Sequence, residues 1–350
     1  MRFQMVQEDS VRRRWFGIAA GLLAQTVFSA AASRAAETPP RSIVLAVAPV
    51  ASAWRSAMME SWQRVTTAAI QDGMVAAAPV HMAMRNTLAA EAEQLTALVA
   101  ERPPAIVIDA GSPQALNVVV RQACAAGIVV VSFDGIVTEP CAYRVKFDFR
   151  KLGATEVEAL AQRLPAGGSL LEMRGIENTD LDDAIGDGVA TAIAGRPALR
   201  IVGEVHGNWR RGDAMQNVAS VLAVLPKVDG VLTQGGDALG VADAFTAAGR
   251  PMPVIILGNR AEELAWWKKQ RDATGYQTFS VAPSPGIAGL AFWVAQRVLA
   301  GADVPHEVTA PFLTVEPGDL DQALAATPAG AFYSRDYTQA DADAAIAASR

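Results

Sequence analysis

Gly127-Ile128-Val129-Val130-Val131-Ser132-Phe133-Asp134 is a near-continuous apolar run closed by an acid. A strand buried on both faces reads this way, because helices covering both sides of a parallel sheet leave it no solvent face. Working outward, the same unit recurs. Upstream, Ile43–Ala48 predicts a first strand and Ala53–Gln71 a helix. A second strand is expected within Met74–Met84, Asn86 is placed to cap a helix through Glu101, and Ile106–Asp109 predicts a third strand. Pro113 fits the first turn of a helix reaching about Ala126. Downstream, strands are expected at Ser169–Arg174, Leu199–Val205, Gly230–Thr233, Val254–Leu257 and Gln277–Val281. Helices are expected at Lys151–Leu164, Asp180–Ala194, Arg211–Leu225, Asp237–Ala248, Glu262–Arg271 and Gly286–Ala300. Short β-branched runs, each followed by an amphipathic stretch, predict α/β architecture. Two such series without a long linker predict two lobes, each built on a Rossmann-like parallel sheet.

The first 36 residues stand apart. Arg12-Arg13-Arg14 precede an apolar, Ala-rich run from Trp15 to Ala32, and Ser33-Arg34-Ala35-Ala36 offers small residues for cleavage. That series predicts a signal peptide cleaved near residue 35 or 36. Arg13-Arg14-Trp15-Phe16 also fits a twin-arginine signal, and both export routes stay open. No later stretch approaches the ~18 unbroken apolar residues of a membrane helix. Removing five basic and two acidic residues from the chain's 30 and 36 leaves a net charge of −9. Such a balance argues against nucleic acid as a partner, since phosphate contacts need clustered Lys and Arg.

Ligands of open parallel sheets bind outside the carboxyl ends of the strands. Polar and aromatic residues stand at those ends. Ser52 and Trp54 follow the first strand, Asp134 the fourth, Asp182 and Asp183 the first of the second series; Trp209 and Asn259 follow later ones. Aromatic rings on the C–H faces of a polyol, with charged or amide groups on its hydroxyl edges, are the chemistry of a sugar site.

Four stretches carry a resemblance. They are Gly127–Asp134; Gly175-Ile176 followed by Gly186-Asp187-Gly188; Asn208-Trp209-Arg210-Arg211; and Pro226-x-x-Asp-Gly-Val231 with Gln234 and Ala238-Leu239-Gly240. Over roughly residues 43–314 the chain resembles the ribose-binding protein family. These are the type I periplasmic binding proteins, which share a fold with LacI-type repressor cores. Carried over residue by residue, the resemblance implies a ligand site of Ser52, Trp54, Arg55, Asp134, Asp183, Trp209, Gln234 and Asn259. It also implies three hinge crossings, near residues 147, 282 and 313. The first lobe would hold residues 41–147 plus 283–312, the second residues 148–282 plus 313–350. A monomer would close on a sugar or polyol in the periplasm and present it to the permease and ATPase of an ABC transporter. An alternative is a receptor that presents its ligand to a chemoreceptor or sensor kinase. The chain departs from the family pattern at four places. Asp183 stands where ribose binders have Arg, Pro283 where they have Gln, Gly235 or Gly236 where they have Asn, and Arg55 where they have a second aromatic. The loss of Arg and gain of Asp183 imply a site that disfavours sugar acids and phosphates and accepts neutral polyols or a ligand carrying an amine.

Enzymatic readings find little support, and no cofactor is expected. Ala48-Pro49-Val50-Ala51-Ser52-Ala53-Trp54 replaces the Gly-x-Gly-x-x-Gly of a dinucleotide site, and no Gly-x-Ser-x-Gly or phosphate-binding Gly-x-x-x-x-Gly-Lys occurs. His81, His206 and His306 are far apart, and no metal spacing is present. Cys124 and Cys141, the only cysteines, are expected to form a disulfide in an oxidising compartment; two buried thiols are the alternative.

Overall fold

Strand β1 (Ile43–Val47) is buried along its whole length, and its alternate side chains feed two cores. Ile43, Leu45 and Val47 enter one, Val44 and Ala46 the other, as the period-two geometry of a strand requires. The computed structural model describes residues 41–49 and 52–350, so the expected signal peptide lies outside the described residues.

From β1 the chain continues through α1 (Ala53–Gln71), β2 (Val80–Met82), α2 (Leu88–Glu101), β3 (Ala105–Ile108), α3 (Asn117–Ala125), β4 (Val129–Phe133) and β5 (Tyr143–Phe147). A second series follows: α4 (Phe149–Arg163), β6 (Gly168–Arg174), α5 (Asp180–Ala194), β7 (Leu199–His206), α6 (Arg211–Leu222), β8 (Gly230–Leu232), α7 (Ala238–Ala247), β9 (Val254–Ile255), α8 (Ala261–Thr274) and β10 (Ser280–Ala282). The last elements are α9 (Ile287–Leu299), β11 (Glu307–Ala310), β12 (Leu313–Val315), α10 (Leu320–Ala325) and α11 (Gln339–Ala348).

The first sheet has the order β11-β5-β4-β3-β1-β2 with every pair parallel. The second has the order β7-β6-β8-β9, also parallel. A bridge from Leu257 to Ser280 brings β10 beside it, and β12 pairs antiparallel to β10. The chain passes between the sheets at Asp148, at Pro283–Gly286 and at Pro311–Phe312. Phe312 lies 5.3 Å from Phe147 and 6.1 Å from Phe149, ring centre to ring centre, so two crossings share one aromatic cluster.

Each lobe closes its own core. On one face of the first sheet, Met58 and Trp62 of α1 pack with Leu290 and Val294 of α9. On the other, Leu95 and Leu98 of α2 and Val120 of α3 cover Ile106, Ile108 and Val130. Full burial of a side chain such as Leu98 contributes about 1.5–3 kcal/mol. Ser132 interrupts the apolar β4 at little cost, because its hydroxyl donates to Tyr143 O at 3.3 Å and accepts from Val137 N at 3.2 Å. Cys124 and Cys141 form a disulfide with a Cα separation of 6.4 Å at the edge of this core.

Several expectations are corrected. Helix α3 begins at Asn117, and Pro113 lies in the preceding turn, where its carbonyl accepts from Thr138 N at 2.8 Å. Thr87, not Asn86, caps α2, its hydroxyl accepting from Ala90 N. Tyr143–Phe147, read only as a crossing, is a strand whose Arg144 and Lys146 both pair with Glu307 of its neighbour. Residues 313–350 do not stay with the second lobe. Helix α10 packs on α8 there, whereas α11 packs on α9 and β11 of the first lobe. An amphipathic helix goes where an apolar face is uncovered, and Ala342, Ala345 and Ile346 complete the core beside α9.

Candidate functional site

Ser52 caps α1 immediately after the first strand, its hydroxyl accepting from Arg55 N at 3.2 Å. The cap fixes the first helical turn and so positions Trp54 and Arg55. Trp54 donates from Nε1 to Oδ2 of Asp134 at 2.9 Å, joining the ends of β1 and β4. Asp134 has φ 57°, and Gly135 must follow it: a Cβ there would lie 2.0 Å from Ala110 O. Arg55 donates from Nε to Asp109 at 3.2 Å and from Nη1 to Asn86 at 3.5 Å. Asp109 is 6% exposed and also accepts from Gly135 N. Asp134 keeps solvent contact, yet the groups packed around it remove part of its water. That desolvation, reinforced by the charge of Asp109, pushes its carboxyl up to about 6 against the pull of Trp54 and Arg55.

A second cluster stands at the carboxyl ends of β6, β7 and β8. Trp209 donates from Nε1 to Gln234 Oε1 at 3.2 Å, and Gln234 Nε2 donates to Asp182 Oδ1 at 2.7 Å. Asp182 also accepts from Arg174 Nε at 3.0 Å, Arg174 Nη2 at 2.7 Å and Gly175 N at 2.7 Å. Burial would raise this carboxyl, but the bonds from Arg174, Gly175 and Gln234 overcome it and hold it below the usual carboxylate value. Gly175 is required, since a Cβ there would lie 2.5 Å from the Trp209 ring. Trp209 has φ 55° and Asn208 φ 53°. Positive φ at a bulky residue is strained, and such strain collects at functional sites. Of the five non-glycine residues with positive φ among the described residues, Asp134, Asn208 and Trp209 are here.

Two expected site residues are placed otherwise. Asp183 is exposed and lies 3.8 Å from Arg174, lining a hollow of ≈ 460 Å³ with Glu172, Asp187 and Glu204 on the edge of the second sheet. The helical turn that buries Asp182 turns its neighbour outward. Asp183 therefore does not pair with Arg55 and lies outside the aromatic cluster. Asn259 is 4% exposed, and its Nδ2 is committed to Pro283 O at 3.1 Å and Tyr333 O at 2.8 Å. It ties a crossing to the C-terminal tail and has no free donor for a ligand.

Three residues were missed. Asp109 follows a strand end and was open to the same reasoning as Asp134. Arg260 directly follows Asn259. Phe332 had no signal, because nothing in residues 316–350 shows where they return. Its ring meets Trp54 edge to face at 5.6 Å, and the Arg260 guanidinium lies over it at 4.6 Å.

Comparison with known proteins agrees with this architecture. The periplasmic binding protein domain matches residues 43–303. The xylitol-binding protein of Mycolicibacterium smegmatis is 25% identical over 244 residues, covering 68% of each chain. The crystal structure of an ABC transporter solute binding protein from Thermobispora bispora is 26% identical with a TM-score of 0.67, covering 88% of this chain and 95% of that one. A periplasmic ribose ABC transporter structure from Conexibacter woesei has a TM-score of 0.70 at 16% identity, covering 82% and 95%; that likeness is one of fold. With two parallel α/β sheets, polar and aromatic groups at their carboxyl ends and a family match over most of its length, the chain belongs to the periplasmic binding protein family.

Proposed function

We propose that this protein binds a small neutral polyol or monosaccharide between its lobes and delivers it to an ABC importer. The observation that carries the reading is the pairing of each tryptophan with a polar partner at a sheet's carboxyl edge: Trp54 with Asp134, and Trp209 with Gln234. An indole offers a flat apolar wall to ligand C–H groups, and the carboxylate or amide beside it bonds hydroxyl edges. Arg55 and Arg174 are occupied by Asp109 and Asp182, so neither guanidinium is left to attract a phosphate. The relatives that bind xylitol or act as ABC solute binders support the same class.

In this reading Ser52, Trp54, Asp134, Trp209 and Gln234 form the site, and Arg55 orients Asp109 behind it. The lobes swing as a monomer about the crossings at Asp148, Pro283–Gly286 and Pro311–Phe312 and the tail that passes beside them, and ligand contact with both stabilises the closed form. The reading needs no reaction and no cofactor. Export through residues 1–36 would place the protein in the periplasm, where the permease would receive the ligand and its ATPase partner would drive uptake.

The test is calorimetry with a panel of pentitols, pentoses and hexoses on the mature chain, repeated on Trp54→Ala and Trp209→Ala. Each variant is expected to lose about 2–4 kcal/mol of binding, the range of a buried aromatic anchor. Folded variants that bind as tightly as the wild type would place the ligand elsewhere.

A further inference from the structure

The C-terminal tail lies beyond the end of the family match. The match stops at residue 303, whereas residues 316–350 run on through both lobes. On the second lobe, Asp321 of α10 pairs with Arg271 at 3.0 Å and Lys268 at 3.1 Å of α8. The chain then forms an antiparallel bridge with the segment after β9. Ala261 N donates to Ala331 O at 2.9 Å, Tyr333 N donates to Asn259 O at 2.7 Å, and the Asn259 amide donates to Tyr333 O. Three residues later it reaches the first lobe, where Asp336 accepts from Arg64 Nε at 2.7 Å and Tyr337 O accepts from Trp293 Nε1 at 2.9 Å. The tail is thus a further crossing beside Pro283–Gly286.

Within the bridge, successive side chains point to opposite sides. Tyr333 packs against the second lobe's core, which turns Phe332 the other way, onto Trp54. Two perpendicular rings with centres 5.6 Å apart leave no space between them, so a ligand lying along Trp54 would meet Phe332. Arg260 over the ring and the backbone bridge beneath it hold Phe332 in place. The ring is held by the second lobe and touches the first, so it stands where the two lobes meet beside Trp54.

We propose that Phe332 is a specificity-determining residue of the cleft, a wall supplied by the tail that limits the ligand to a single polyol or monosaccharide unit. This rests on the polyol reading of the site and adds what sets its length. The residue is an aromatic neighbour of Trp54 in a chain whose first loop carries Arg55 after its tryptophan.

Calorimetry on the mature chain tests it, with xylitol, ribose and glucose as single-unit probes and maltose and cellobiose as two-unit probes. The wild type is expected to bind among the single units only. Phe332→Ala should weaken that binding by about tenfold and admit a disaccharide, since a few apolar atoms in a pocket set discrimination of this size. Phe332→Leu, which shortens the wall without emptying it, should shift the same way by less and serves where the alanine variant fails to fold. Phe332→Trp should reject the largest single unit that the wild type accepts. An unchanged profile in the Phe332 variants, with binding abolished by Trp54→Ala, overturns this proposal and leaves the polyol site standing. Disaccharide binding by the wild type also overturns it. A wild type that binds no probe overturns both readings.

Discussion

Replacing Asp182 by Ala removes the acceptor of four hydrogen bonds, those from Arg174 Nε and Nη2, Gly175 N and Gln234 Nε2. Breaking a buried ion pair from one side costs about 3–5 kcal/mol, because the partner charge stays behind. Arg174 is 16% exposed and has Glu204 at 3.6 Å and Glu172 at 3.8 Å to fall back on, which moves the figure to the low end. The expected loss is therefore about 3 kcal/mol, part of it from the unpaired Gly175 N–H. Asp183→Ala is the internal control. Its carboxylate is exposed and 3.8 Å from Arg174, and its removal should cost under about 0.5 kcal/mol. Urea unfolding followed by circular dichroism reads both. Gln234 also loses its anchor in Asp182→Ala, freeing Trp209, so ligand affinity should fall with stability. Because the Asp182 carboxyl is held below its unfolded value, its stabilisation is present above about pH 4 and lost as pH falls through the lower native value. Equal midpoints for the two variants would refute the assignment of Asp182 as the buried anchor.

Asp134 works in the opposite sense: a carboxyl raised to about 6 binds its proton in the native state before the unfolded state does, so this group favours folding at low pH and loses that contribution as pH rises through 6. Ligand held by the ionised carboxylate should bind more weakly at pH 5 than at pH 7, and Asp134→Asn should flatten the profile; an identical slope in the variant would count against it. Reduction of the Cys124–Cys141 bridge, which closes a separation of 17 residues, should lower stability by about 3 kcal/mol in the chain-entropy picture, and titratable thiols in unreduced, unfolded protein would contradict the pairing. Mass spectrometry of the exported protein should find an amino terminus near Ala36 or Glu37; an intact Met1 in that fraction would remove the export proposal.

The alternation of strands and helices was legible because short apolar runs, most of them carrying β-branched residues, alternate with amphipathic stretches. Helix α1 spans Ala53–Gln71, the range expected from its pattern, and the structure adds Ser52 as its cap. Tyr143–Phe147 was not legible as a strand, since its charges are neutralised by Glu307, over 160 residues away. The same holds for the cleft. Trp54, Asp134 and Trp209 stand at strand ends, and local order was enough to find them as candidates. Asp182 and Asp183 are adjacent, and only the placement of Arg174 and Gln234 decides which one is buried. Asn259 is turned to the tail by Tyr333, a partner 74 positions on. Phe332 depends on a return path that no local pattern in the sequence encodes.

The order in which the first lobe receives its parts has a bearing on the protein's life before it folds. Its core needs α9, β11 and α11, all made after the complete second series of strands and helices. Some 140 residues separate Phe147 from Ile287, which at ribosomal speeds of about 5–20 residues per second means roughly 7–28 s of further synthesis. During that interval the apolar side of β1, β3 and β4 lacks half its cover, and β5 lacks its outer neighbour. The second lobe's helices α4 to α8 and strands β6 to β10 are contiguous and can associate as they emerge. The nascent chain therefore carries one forming lobe and one waiting lobe, and a holdase would find its apolar target in residues 43–147.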